Sequence, residues 1–136
     1  MKAILAAAVV LGCVGVVAAK SVQKPIVLTV DARQHCIGLA EEMAGQATAA
    51  LPSGRYRVSV ESDASYCEGG CPVDKVAFYI TTDDQPKGWF HVAAAGEPIE
   101  VTVSGVGFEA NTVRAFFLDA LCGDNSGQAV LTFRRR

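Results

Sequence analysis

The chain has 136 residues, 12 of them basic and 14 acidic, and a formal net charge of −2. A chain of this length supports one domain with a modest core rather than several, and its charge offers no basic field to draw nucleic acid. Arg134-Arg135-Arg136 is a local positive tip that reads as a solvated end.

The first residues read as a leader. Met1-Lys2 supplies a positive start, Ala3 to Val17 carries no charge, and Val17-Ala18-Ala19 has the small side chains of a secretory cleavage site. The expectation is a signal peptide over 1–19 and a single β-sandwich domain over 20–136, secreted or periplasmic. The apolar run falls short of the ~20 residues of a membrane span, which favours removal over anchoring. The alternative is a lipid anchor on Cys13, because Val10-Leu11-Gly12-Cys13 loosely resembles a lipoprotein box. Against it, Val14-Gly15-Val16-Val17 stays apolar where such sequences turn polar. Removing the leader takes away one charged residue, Lys2, and leaves a net charge of −3.

Beyond the leader, apolar residues alternate with polar ones at period two. Ile26, Leu28 and Val30 form the first such set, Tyr56, Val58 and Val60 within Arg55 to Glu61 the second, and Ile99, Val101 and Val103 the third. This is the pattern of half-buried strands. Ala47 to Leu51, Val76 to Thr81, Trp89 to Ala93, Val113 to Leu118 and Ala129 to Arg134 are further strand candidates. Turn chemistry separates them at Pro52-Ser53-Gly54, Asp83-Asp84-Gln85-Pro86, Ala95-Gly96-Glu97-Pro98 and Gly105-Val106-Gly107. Leu39 to Ala44 is the one stretch with helical character, and it reads as a loop or a single turn. About eight short strands at this spacing, without a long helix, predict an all-β chain folded as an antiparallel sandwich.

Four cysteines follow the leader: Cys36, Cys67, Cys71 and Cys122. In an exported domain they read as two disulfides, with three connectivities available. Cys67 and Cys71 enclose Glu68-Gly69-Gly70, and two glycines make so small a loop sterically feasible, which leaves Cys36 for Cys122. Zinc is the competing use of these thiols. It is disfavoured by the lack of histidine pairs at ligand spacing and by an oxidising compartment.

The most informative stretch runs from Phe116 to Gly127. It is a strand, then a loop holding Asp119, Cys122, Asp124 and Asn125, then a return into the strand Gln128 to Phe133. Ca2+ takes six to eight oxygens from carboxylates, amides and carbonyls at about 2.3–2.6 Å, and Asp119, Asp124 and Asn125 are candidate donors. The other reading of Asp124-Asn125-Ser126-Gly127 is a plain hairpin turn, since Asn and Gly tolerate positive φ and Asp caps its own backbone.

Catalytic chemistry finds no residue set. His35 adjoins Cys36, but neighbours in extended chain point to opposite sides, and His91 reads as a surface histidine on a strand. Gly105-Val106-Gly107-Phe108-Glu109-Ala110 matches a dinucleotide pattern, yet strand-like residues follow it rather than a helix. Glu41-Glu42 and Asp83-Asp84 are adjacent in sequence, which places them on solvent rather than across a substrate. An enzyme is not expected.

Five features carry a resemblance. They are Ala44-Gly45-Gln46 leading into a strand, the turn Leu51-Pro52-Ser53-Gly54, the close pair Cys67 and Cys71 before a strand, Gly88-Trp89-Phe90-His91-Val92, and a strand ending in Asp119 followed by Asp124-Asn125-Ser126-Gly127. Together they make the chain beyond the leader resemble, distantly, the calcium-dependent galactophilic lectins of bacteria and the wider galactose-binding-like β-sandwiches. The resemblance implies a calcium ion at one end of the sandwich whose shell is completed by sugar hydroxyls. By position it implies Asp119, Asp124 and Asn125 as side-chain ligands and Leu51 as a carbonyl ligand, with a further carbonyl from Leu121, Cys122 or Gly123. Asp124 departs from the family, which has two consecutive asparagines there. The family's sugar-gripping histidine and glutamine are missing, and the loop that would carry them is Ser62-Asp63-Ala64-Ser65-Tyr66, where Tyr66 and Asp63 are the remaining sugar contacts. The function so implied is calcium-dependent carbohydrate recognition. The alternative is a periplasmic or cell-surface interaction module with a purely structural calcium.

Overall fold

Alternation decides the local structure, because a strand puts successive side chains on opposite faces and a sheet with one wet face needs polar residues at every second position. A computed structural model describes residues 23–39, 45–68, 70–81, 90–104 and 111–136. The leader with Cys13, the helical candidate from residue 40 onward, Glu41-Glu42, Asp83-Asp84, Trp89 and the segment 105–110 lie outside the described residues. Nine strands are present among the described residues: β1 (Ile26–Asp31), β2 (Cys36–Gly38), β3 (Ala47–Leu51), β4 (Gly54–Ser62), β5 (Lys75–Thr81), β6 (His91–Ala94), β7 (Ile99–Val103), β8 (Asn111–Asp119) and β9 (Gln128–Arg135).

The strands form two sheets packed as a sandwich. One has the order β1-β9-β4-β7 and is antiparallel throughout. The other has the order β2-β8-β5-β6, with β3 also paired to β8. Eight strands match the alternation read from the sequence. The ninth, β2, has three residues, too few to show a period, and it pairs parallel to β8 through Cys36↔Phe117 and Gly38↔Asp119.

The inward positions meet in one apolar cluster that includes Leu28, Val30, Tyr56, Val58, Phe78, Val113, Phe117, Leu131 and Phe133. Phe78 of β5 meets Phe133 of β9 edge to face at 5.7 Å and so bridges the two sheets, while Phe133 meets Tyr56 within the first sheet at 6.5 Å. Such pairs add about 0.5–1.5 kcal/mol beyond the area they bury. His91 lies on the edge strand β6, as expected, but is half-buried rather than fully exposed. Its register partner is Phe78, and its ring stacks on that of Phe78 at 5.1 Å. Burial lowers its pKa below the ordinary imidazole value.

Both disulfides form, Cys36 with Cys122 and Cys67 with Cys71. Two such bonds fit a non-cytoplasmic compartment. No helix among the described residues is long and apolar enough to cross a membrane.

Candidate functional site

One end of the sandwich gathers the exit of β1, the start of β2, the ends of β4 and β8 and the start of β9. The chain leaving β1 reverses in a turn built by Asp31, whose Oδ1 accepts from the backbone N–H of Arg33 and Gln34 at 2.9 and 2.8 Å. His35 Nδ1 accepts from the Asp31 N–H at 2.9 Å. This reversal delivers Cys36 beside β8. Its disulfide to Cys122 then holds the single 3-10 turn Cys122–Asp124 that follows β8.

Asn125 locks that turn to the body of the protein. It is 3 % exposed, and its Nδ2 donates to the Ala32 carbonyl at 3.0 Å and approaches Cys36 Sγ at 3.4 Å. Its Oδ1 is buried without a hydrogen-bond partner among the described residues. Next to it, Ser126 and Ser65 exchange two backbone hydrogen bonds, each 2.9 Å. The Asp63 carboxylate accepts from the Gln128 N–H at 2.7 Å, while the Asp63 N–H donates to the Gln128 carbonyl at 3.0 Å. The segment Asn125 to Gln128 is therefore a wall clamped between the Ala32 turn and the Asp63–Ser65 segment, rather than a free hairpin tip.

Tyr66 comes to the same end. Its ring meets Phe117 edge to face at 6.1 Å. Burial raises its hydroxyl pKa; a hydrogen bond from the Leu118 backbone opposes that rise and the Asp119 carboxylate adds to it. The fold thus places Asp63, Tyr66, Asp119, Cys122, Asp124 and Asn125, six of the residues singled out in the sequence, at one end of the sandwich.

Leu51 does not join them. It is paired with Asn111, the first residue of β8, whereas Asp119 is the last. Eight residues of extended chain separate the two positions, about 26 Å at ~3.3 Å per residue, so the Leu51 carbonyl cannot share an ion with Asp119. Other oxygens of the expected shell are already engaged. Asp119 Oδ1 accepts from the Ala120 N–H at 2.6 Å, the Cys122 carbonyl accepts from the Asn125 N–H at 3.3 Å, and the Arg33 guanidinium donates to the Gly123 carbonyl. Among the described residues no cluster of three or more His, Cys, Asp or Glu side chains is placed to hold a metal. The residues fit calcium in part only: the second oxygen of Asp119, the Asp124 carboxylate and the orphan Oδ1 of Asn125 fall short of six to eight oxygens.

A concavity of about 280 Å³ opens beside this end on the outer face of the first sheet, lined by Glu61, Ser62, Asp63, Gln128 and Val130. Ser62 is occupied, its Oγ donating to the Val73 carbonyl at 2.6 Å and accepting from the Ala64 N–H at 3.2 Å. Glu61 and the Gln128 side chain carry no hydrogen bond within the described structure. Acceptors and an amide therefore face solvent together. Sequence reading found Asp63 but missed Glu61 and Gln128. Each stands at an outward position of its own strand, and only the pairing of β4 with β9, in which Glu61 faces Val130, sets Gln128 on the same face one diagonal step away.

Comparison with family models, curated proteins and solved structures returns no match.

Proposed function

We propose that this protein is a non-catalytic binding module of an oxidising compartment that recognises a hydroxyl-rich ligand, a glycan, at the Glu61, Asp63 and Gln128 concavity. The observation that carries the reading is the placement of two carboxylates and a side-chain amide around one shallow hollow. Carboxylates accept from hydroxyls, and an amide both donates and accepts, which is the complement of a sugar edge. Ligand pockets are usually deeper and more apolar than this, so the affinity for one sugar is modest. The resemblance to galactophilic lectins supports the same class of ligand. A glycan array run in Ca2+ and again in EDTA tests it. Binding that is lost in Glu61→Gln and in Gln128→Ala supports the site; an array without hits removes the reading.

Calcium is proposed as a second ligand of this end, on the narrower support of the buried, partnerless Oδ1 of Asn125 on the loop that also carries Asp124. An ion that binds the folded chain alone raises its stability by about 2.7 kcal/mol at one hundred times its Kd. Melting with and without Ca2+ reads this directly. An unchanged melting temperature over a wide range of Ca2+ would leave a glycan module that needs no metal.

A further inference from the structure

Arg55 and Arg57 of β4, Arg134 of β9 and Arg136 just past its end set four guanidinium groups in two adjacent rows. Arg57 stands opposite Arg134 on one side and Glu100 on the other. In the next row Arg55 faces Thr102, and Arg136 lies alongside it through a 2.9 Å bond from its N–H to the Arg55 carbonyl. Neighbouring strands are about 4.8 Å apart and alternate residues of a strand about 7 Å apart, so the four arginines form a small grid. Among the described residues Glu100 is the one carboxylate paired with it, 2.9 Å from Arg136 and 3.8 Å from Arg55. Arg57 and Arg134 are exposed and form no ion pair among the described residues. Like charges directly opposite each other on paired strands are destabilising; Glu100, opposite Arg57 on β7, offsets this on one side only, and its ion pairs are to Arg136 and Arg55. The net charge of −2 conceals the grid because the far end of the same sheet face carries Asp31, Glu61 and Asp63.

We propose that Arg55, Arg57, Arg134 and Arg136 form a docking site for an anionic polysaccharide, one bearing sulfate or carboxylate groups, whose chain crosses β9 and β4 rather than following them. The guanidinium fork matches the oxygens of both groups and holds them by charge-assisted bonds. The direction follows from the charges on the face. A polymer lying along β4 reaches Glu61 four residues from Arg57, about 13 Å on, and is repelled there, whereas one crossing the strands stays over the arginines. The same partition sorts polyanions. A nucleic-acid duplex or an anionic lipid surface spans both ends of the face at once and sets its phosphates against Glu61 and Asp63. This site is separate from the concavity and does not depend on what the concavity binds.

The test measures retention of the disulfide-intact chain on immobilised dextran sulfate, uncharged dextran, a DNA duplex and phosphatidylserine vesicles. Retention on dextran sulfate that salt reverses, with none on uncharged dextran, is expected. Arg57→Gln with Arg134→Gln should weaken it by about tenfold, the loss of two charge-assisted contacts, with little change in melting temperature because the repulsion between the two arginines and the attraction of Arg57 to Glu100 are removed together. Glu100→Gln frees Arg55 and Arg136 and should strengthen retention, while Lys75→Gln on the other sheet should leave it unchanged. The proposal is overturned by absence of salt-sensitive retention on dextran sulfate, or by retention indifferent to the two arginines. Duplex DNA or vesicles binding as tightly as dextran sulfate would overturn it too.

Discussion

Gly127 sits at φ 75° with its Cα against the Asp63 backbone, where an added Cβ would lie 2.5 Å from the Asp63 carbonyl oxygen. Left-handed backbone alone costs a residue with a side chain roughly 1–2 kcal/mol, and here the obstacle is main chain that is itself hydrogen-bonded and cannot give. Gly127→Ala should therefore lower the unfolding free energy by more than about 2 kcal/mol, read from urea melts. Asn125 works from the other side of the same wall. Asn125→Ala removes the bond to the Ala32 carbonyl and leaves that acceptor without a donor, a loss of about 1–3 kcal/mol in the same assay. If the orphan Oδ1 is a calcium ligand, as proposed above, this variant also loses any stabilisation by Ca2+. The two variants together separate the structural role of the wall from its metal role.

Among the elements, β6 is a four-residue edge strand, held to the core by the buried Ala93 and by His91 stacked upon Phe78. Burial depresses the imidazole pKa in the folded chain, so the unfolded chain takes up the proton first as pH falls. Stability from this residue is fully present above the ordinary value of about 6.5. It declines as pH drops through the window between that value and the depressed one. Unfolding curves at stepped pH should show this decline in the parent chain, and His91→Phe, which keeps a ring on Phe78, should lessen it. An equal decline in both proteins would assign the pH dependence to other groups.

At the scale of the molecule, the Cys36–Cys122 bond joins residues 86 apart and Cys67–Cys71 residues 4 apart. In the chain-entropy account the constraint on the unfolded state grows with the logarithm of the loop, giving about 4–5 kcal/mol for the first and about 2 kcal/mol for the second. Replacing both members of each pair by Ala should reproduce that order in thermal melts. The larger loss is expected on removing Cys36–Cys122, which also frees the turn carrying Asp124 and Asn125. Equal losses would mean that local packing, and not loop length, sets the contribution of the bonds.

The sequence by itself determined the class of fold, because period-two alternation is a local property: each strand needs only its own residues to declare which face is wet. It also determined the disulfides, since a three-residue gap with two glycines leaves a single partner for each remaining cysteine. Strand adjacency is a different kind of fact. That β9 lies between β1 and β4, and that β3 runs against the first half of β8, depends on pairings between segments far apart in the chain. Those pairings removed Leu51 from the end that Asp119 occupies, set Glu61 and Gln128 on one face a diagonal step apart and aligned Arg57 with Arg134. The residues were legible one at a time; which of them share a surface was decided by backbone hydrogen bonds between strands that no spacing in the sequence encodes.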